Sequence, residues 1–110
     1  GGDRDKSKRP LIAEIVCQNS DSVIITEDNS RNESFESIKR DIFKGIINKS
    51  KCYVIKSRKT AIKKIYRQSK SNYVNFILGK GNEDYIYESN KTRPHNDIEY
   101  LYGLIRDDKS

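Results

Sequence analysis

The chain has 110 residues, of which 34% are hydrophobic and 35% charged, and a formal net charge of +6 at pH 7. This length suffices for one domain with one core, and no apolar run approaches the roughly 18 residues of a membrane-spanning helix. The polar N-terminus lacks the apolar stretch of a secretory signal, so we expect a cytoplasmic protein without a membrane partner. Basic residues alternate with acids throughout, as in "DRDKSKR", which leaves nucleic-acid binding only as an alternative.

The first half of the chain predicts two helices and a strand. Apolar residues recur at helical spacing after Pro10, which is tolerated in a first turn, and this helix is expected to end near residues 19–21. "SVIIT" (22–26) is typical of a short buried strand. In "ESFESIKRDIFKGIIN" a second helix is predicted, with Ser34 or Asn32 as its cap. The apolar positions that carry these helices are Leu11, Ile12, Ile15 and Val16 in the first, and Phe35, Ile38, Ile42 and Ile46 in the second.

The second half continues the alternation of helices and strands. "CYVI" (52–55) predicts a strand, "SRKTAIKKIYRQSK" (57–70) a helix, and "YVNFILG" (73–79) the most strand-like segment of the chain. "DYIYES" and "NKTR" indicate an extended piece with a turn, and residues 95–107 a closing helix preceded by His95. This order predicts a single α/β domain over residues 1–110, with an open, mostly parallel sheet covered by helices.

The two cysteines, Cys17 and Cys52, have no metal-ligand spacing, and we predict no metal site in this chain. We interpret both as buried or half-buried thiols of a reducing compartment. The sequence alone does not decide whether the two cysteines form a disulfide.

Two polar loops follow predicted strands, where open parallel sheets bind their ligands. "EDNSR" follows residues 22–26, and "GKGNED" follows residues 73–78. Arg31 can grip a carboxylate with two parallel hydrogen bonds, while Asp28 and Glu83 can accept from an ammonium. Asn29 suits either charge, and Gly79 lets the backbone approach a ligand. For each loop alone, a solvated turn is the commoner interpretation. The opening "GGDRDKSKRP" has the same polar character, and the three segments together favour a site for a small zwitterion, although composition alone leaves both interpretations open.

Three ordered motifs, "GGDRDKSKRP", "DNSR" and "GKGNEDY", resemble the C-terminal domain of the Mur ligases. The family patterns are GGDRDxGKRP, DNPR and GKGHEDY, and the resemblance extends over almost the whole chain. It is strongest to the branch of the family that adds diaminopimelate. The resemblance implies a Rossmann-like fold with helices on both faces of the sheet.

It also implies an activity, namely ATP-dependent amide-bond formation in peptidoglycan precursor synthesis. A carboxylate of UDP-MurNAc-L-Ala-D-Glu is phosphorylated and then attacked by the amine of meso-diaminopimelate, with ATP and Mg2+ held mainly by a central ATPase domain. By motif, the amino-acid-binding positions are Arg4, Asp28, Asn29, Arg31, Gly79 and Glu83. Arg31 is expected to select diaminopimelate over lysine. Lys6 and Lys8 are candidates for contact with the nucleotide phosphates, and no catalytic residue is assigned to this chain.

Departures from the family pattern bear on these expectations. Ser7, Ser30 and Asn82 replace a glycine, a proline and a histidine of the motifs. The sequence contains no Walker-type phosphate loop, so we interpret it as a piece of a longer enzyme that is inactive alone. The family's strand before "GGDRD" is absent as well, and we expect exposed apolar surface and self-association in consequence. A degenerate or stand-alone binding module of the same fold is the other alternative.

Overall fold

The computed structural model describes residue 2, residues 5–69 and residues 71–109. Within this part, helices surround two small sheets, so the chain is α/β as the sequence predicts. The elements are α1 Lys8–Gln18, β1 Val23–Ile25, α2 Phe35–Phe43, a 3₁₀ turn Lys49–Lys51, β2 Cys52–Val54, α3 Arg58–Gln68, β3 Tyr85–Glu88, β4 Lys91–Pro94 and α4 Asp97–Lys109. None of the helices in this part of the chain is long and apolar enough to cross a membrane.

The core lies where α1 and α2 pack near the parallel pair β1–β2. Val23 pairs with Cys52 and Ile25 with Val54 in that ladder. The core residues are Ala13, Cys17, Ile25 and Ile46, with Val23, Ile42, Phe43 and Cys52 packed against them. Cys17 and Cys52 are free thiols, and their Sγ atoms lie 3.5 Å apart.

Helix α1 buries a different face from the one that its apolar residues indicate. Leu11, Ile12 and Ile15 are each more than half exposed, whereas Arg9 is buried on the same face as the core residues Ala13 and Cys17. The Arg9 guanidinium bonds both carboxylate oxygens of Glu33, at 2.6 and 2.8 Å, and also bonds Asp41. We attribute the difference between the expected and the observed buried face of α1 to this ion-pair group, because a buried guanidinium needs carboxylates within hydrogen-bond distance.

Helix α2 begins as predicted but ends earlier. The Ser34 hydroxyl accepts from the backbone of Ser37, which makes Ser34 the cap. The helix ends at Phe43, so the expected continuation through Ile46 is wrong. Gly45 lies so close to α1 that a Cβ there would be 1.8 Å from the Pro10 carbonyl oxygen. The chain turns at this contact, and Ile46 enters the core from outside the helix.

Residues 73–78 do not form the strand that their composition predicts. In the part of the chain described, no other segment pairs with them, and Tyr73, Val74, Phe76 and Leu78 are exposed. A β-branched, aromatic segment becomes a strand only when a neighbour satisfies its backbone, which local propensity cannot supply. The expectation of a third strand is therefore wrong here, and the parallel sheet described has two strands, β1 and β2.

The piece predicted as extended with a turn is the antiparallel hairpin β3–β4. Ser89 and Asn90, at its turn, have φ angles of 52° and 62°, as a two-residue type I′ turn requires. Arg31 forms an isolated bridge with Glu88, which joins the loop after β1 to this hairpin. This bridge fixes the position of one of the two candidate ligand loops.

Candidate functional site

The loop after β1 is held on two sides by backbone hydrogen bonds. The amide of Gly2 donates to the carbonyl of Asn29 at 2.6 Å. On the other side, Arg31 donates to Tyr87 at 3.0 Å and accepts from Ser89 at 2.7 Å. Arg31 has φ of 57°, a left-handed conformation that few non-glycine residues adopt. Residues 28–31 are therefore a fixed loop rather than a solvated turn.

The second loop, residues 79–83, contacts the first directly. Gly79 has φ of +108°, and a Cβ on it would lie 3.0 Å from an Asp28 carboxylate oxygen. Gly81 is also left-handed, with φ of 55°, and the amide of Glu83 closes a turn onto the Lys80 carbonyl at 3.0 Å. Glycine at position 79 thus serves both the backbone conformation and the close approach of the two loops.

Lys80 occupies the space between the loops, although sequence reasoning did not select it. Its side chain is 0% exposed. The Nζ atom donates to Asn29 Oδ1 at 2.9 Å and lies 3.4 Å from a Glu83 oxygen and 3.5 Å from Asp28 Oδ1. The ring of Tyr85 lies beneath it, with the centroid 5.5 Å away. The sequence offered one indication that Lys80 belongs to the site, namely its position between Gly79 and Gly81 in "GKGNED".

The Asn29 amide is engaged within the protein. Its Oδ1 also accepts from the Tyr87 backbone at 2.9 Å, and its Nδ2 lies 3.5 Å from each carboxylate oxygen of Glu83. These neighbours fix the orientation of the amide, because the oxygen faces two donors and the nitrogen faces a carboxylate. Asn29 therefore holds the two loops together, whatever else it contacts.

The carboxyl group of Asp28 is kept ionised by its surroundings. Burial raises its pKa, but the backbone N–H of Asn29 and nearby positive charges, those of Lys80 and Arg58 among them, together outweigh burial and lower the pKa below its ordinary value. The Asn29 N–H donates to Oδ1 at 2.6 Å. A carboxylate held in this state, a quarter exposed, is suited to accepting from an ammonium ligand.

The Arg31 side chain is anchored at one end. Its Nη1 donates to the Gly2 carbonyl at 3.0 Å and approaches the Asn29 carbonyl at 3.5 Å. Among the described residues, Nε and Nη2 have no hydrogen-bond partner, and Arg31 is half-buried. The anchored atom orients the guanidinium, and its remaining donors can bind a carboxylate.

The structure brings together Asp28, Asn29, Gly79 and Glu83 of the predicted site residues. Arg4 lies outside the described residues. Lys6 is exposed and pairs with Glu33 at 3.5 Å, and Lys8 is exposed in the first turn of α1. Among the residues described, no hydrogen bond or ion pair joins either lysine to Lys80, Asp28, Asn29 or Glu83.

A second buried group, centred on Arg58, supports both loops from behind. Arg58 is 3% exposed and bonds Asp97 through two nitrogens, at 2.8 and 2.7 Å. It also donates to the carbonyls of Glu27 and Leu78, each at 3.0 Å, and these residues immediately precede the two loops. His95 Nε2 lies 2.6 Å from the same Asp97. No sequence motif indicated this group, because its members come from α3, α4 and three connecting segments.

The comparisons with known proteins point in one direction. The family model described as "Mur ligase, glutamate ligase domain" matches residues 1–81. A protein of Buchnera aphidicola named UDP-N-acetylmuramoyl-L-alanyl-D-glutamate–2,6-diaminopimelate ligase is 39% identical over 105 residues, which is 96% of this chain and 21% of that protein. A protein of Helicobacter pylori with the same name is 44% identical over 101 residues, covering 92% of this chain and 23% of its own length.

A solved structure gives the same result at the level of the fold. It is titled as the structure of UDP-N-acetylmuramoyl-L-alanyl-D-glutamate–2,6-diaminopimelate ligase and superposes with a TM-score of 0.90 at 32% identity. The match covers 100% of this chain and 23% of the other. The chain thus spans about a fifth of the length of the curated relatives that it matches.

Proposed function

Because the chain belongs to the Mur ligase, glutamate ligase domain family, we propose that it is the amino-acid-binding C-terminal domain of an ATP-dependent ligase. The reaction is the addition of meso-diaminopimelate to UDP-MurNAc-L-Ala-D-Glu in peptidoglycan precursor synthesis. The names of the relatives support this substrate. The domain spans residues 1–110, and the parallel pair β1–β2 supports a Rossmann-like open, mostly parallel sheet with helices on both faces in the complete enzyme.

One observation carries the proposal, namely that the loop of residues 28–31 meets the loop of residues 79–83. Two carboxylates, from Asp28 and Glu83, come within reach of one buried ammonium, and Arg31 is the last residue of the first loop. A zwitterion needs both signs of charge at close quarters, which these loops provide.

Each residue has a role in this proposal. The Arg31 guanidinium binds the carboxylate that diaminopimelate has and lysine lacks, using the donors that its anchor leaves available. Asp28 and Glu83 bind an ammonium group, Asn29 and Gly79 keep the two loops in contact, and Arg4 is assigned by motif alone. The chain holds diaminopimelate while the free amine of this amino acid attacks the phosphorylated carboxyl carbon of UDP-MurNAc-L-Ala-D-Glu. A carbon–nitrogen bond forms, and phosphate leaves as the carbon–oxygen bond breaks.

ATP supplies the phosphoryl group that activates the carboxylate, and we place ATP and Mg2+ mainly in a central ATPase domain of the full-length enzyme. The described residues contain no group of three or more metal-binding side chains, and the sequence has no Walker loop. Lys6 and Lys8, exposed near the start of α1, are the groups of this chain proposed to approach the nucleotide phosphates.

The test is a ligation assay of the full-length protein that carries this chain, with ATP, Mg2+ and UDP-MurNAc-L-Ala-D-Glu. Meso-diaminopimelate and lysine are offered in parallel. Turnover with diaminopimelate alone is expected. Turnover with lysine alone keeps the ligase reaction but overturns the role of Arg31. Absence of turnover with either amino acid, from a folded protein, favours a binding module that has lost the reaction.

A further inference from the structure

Lys80 is buried among three of the residues assigned to the amino acid, and it has no role in the proposal above. An ammonium group has three N–H donors and no acceptor. In this structure Nζ has one acceptor at hydrogen-bond distance in Asn29 and a carboxylate oxygen of Glu83 and of Asp28 within 3.5 Å. These acceptors come from both loops, so one side chain joins the two halves of the site.

The charge of Lys80 matters as much as its hydrogen bonds. Asp28 and Glu83 together contribute two negative charges, and the buried ammonium offsets one of them. With Arg31, the four charged side chains of the site that belong to the described residues sum to zero. Diaminopimelate at neutral pH has two ammonium and two carboxylate groups and is neutral overall, whereas lysine carries one net positive charge. A neutral cluster favours the neutral ligand, since an uncompensated carboxylate would attract the cation.

We propose that Lys80 is a positioning and specificity residue that holds Asp28, Asn29 and Glu83 in one arrangement and disfavours lysine by its charge. The inference rests on the proposed function for its ligand. The part of the proposal that concerns structure, namely that Lys80 joins the two loops, does not depend on any ligand.

The first experiment tests selectivity in the full-length protein, with Lys80→Met, which removes charge and donors, and Lys80→Gln, which keeps a donor but removes the charge. Both variants are expected to lower the preference for diaminopimelate over lysine, measured as the ratio of kcat/KM values, by about tenfold or more. The KM for diaminopimelate is expected to rise about ten- to a hundredfold in Lys80→Met, as for loss of a charged hydrogen bond. The KM values for ATP and the nucleotide dipeptide are expected to stay unchanged, which separates positioning from general loss of structure.

Lys49→Met is the matched control, because this lysine is exposed on the 3₁₀ turn and contacts none of the cluster residues among those described. It is expected to behave as wild type. An unchanged diaminopimelate-to-lysine ratio in both Lys80 variants would overturn the specificity role, provided that the wild-type enzyme turns over.

The second experiment needs no ligand and separates failure of this inference from failure of the proposed function. Amide hydrogen exchange is measured on the wild-type and Lys80→Met proteins. Faster exchange is expected at Tyr87, whose amide donates to Asn29, and at Glu83, whose amide closes the turn onto Lys80. Unchanged exchange at both amides would show that Lys80 does not join the loops, even if the wild type is an active ligase.

Discussion

Replacement of Arg58 by methionine is expected to destabilise the domain strongly, because it leaves buried acceptors without a partner. Arg58 is 3% exposed and Asp97 5% exposed, and two bonds of 2.8 and 2.7 Å join them. Removing one partner of a buried ion pair costs about 3–5 kcal/mol in free energy of unfolding. The carbonyls of Glu27 and Leu78 also lose a donor, so we expect a loss toward the upper part of that range.

The loss is measured by urea denaturation of the purified chain, followed by circular dichroism. Whole domains have a free energy of unfolding of about 5–15 kcal/mol, so a loss of this size is a large fraction of the total. Arg67→Met is the matched control on the same helix, because Arg67 is exposed at the end of α3, and it is expected to change stability by less than about 0.5 kcal/mol.

A double variant tests the physical reason. Adding Asp97→Asn to Arg58→Met removes the buried charge that Arg58→Met leaves unpaired, so the double variant is expected to be more stable than the sum of the two single losses by about 1 kcal/mol or more. A loss below about 1 kcal/mol in Arg58→Met, or strict additivity in the double variant, would refute the reasoning that this pair supports the two loops.

Four other expectations follow from the same geometry. Arg31→Lys in the full-length enzyme is expected to raise the KM for diaminopimelate by about tenfold or more, because a point charge cannot replace a forked contact, and steady-state kinetics with the exposed Arg40→Lys as control check this. Gly79→Ala is expected to destabilise the chain by about 1–3 kcal/mol, because φ is +108° and a Cβ meets the Asp28 carboxylate, and an unchanged urea midpoint would contradict it. Burial raises the pKa of Asp97, but hydrogen bonds from Arg58 and His95 outweigh burial and lower the pKa below its ordinary value. The ionised Asp97 carboxylate therefore stabilises the fold above the unfolded-state pKa of about 3.9, and this stabilisation is lost as pH falls through the lower folded-state pKa. Asp97→Asn should in consequence make the free energy of unfolding less dependent on pH in the acid range, as measured by urea denaturation at a series of pH values. The exposed apolar side chains are expected to cause self-association that rises with concentration, and a monomer by light scattering at high concentration would count against it.

Much of the fold follows from local signals in the sequence. The apolar residues at helical spacing predict the helices. The sequence offers Ser34 or Asn32 as the cap of α2, and the structure has Ser34, whose hydroxyl accepts from the first turn. Residues 73–78 show the limit of such signals. Their composition favours a strand, but a strand also requires a paired neighbour, and none is present in the described part of the chain.

The candidate site divides in the same way. The sequence by itself determined which groups are available: the acids and the arginine of "EDNSR", and the glycines of "GKGNED" that permit left-handed backbone. Only the tertiary structure decided which of them meet. Lys80 and Arg58 were missed because a buried cation is recognised by its partners, and most of those partners are distant along the chain. Leu78 and Asp97 are 20 and 39 residues from Arg58, and Asn29 and Asp28 are 51 and 52 residues from Lys80. Hydrophobic spacing and turn residues act locally and can be read in order, whereas the pairing of buried charges depends on how distant segments are brought together.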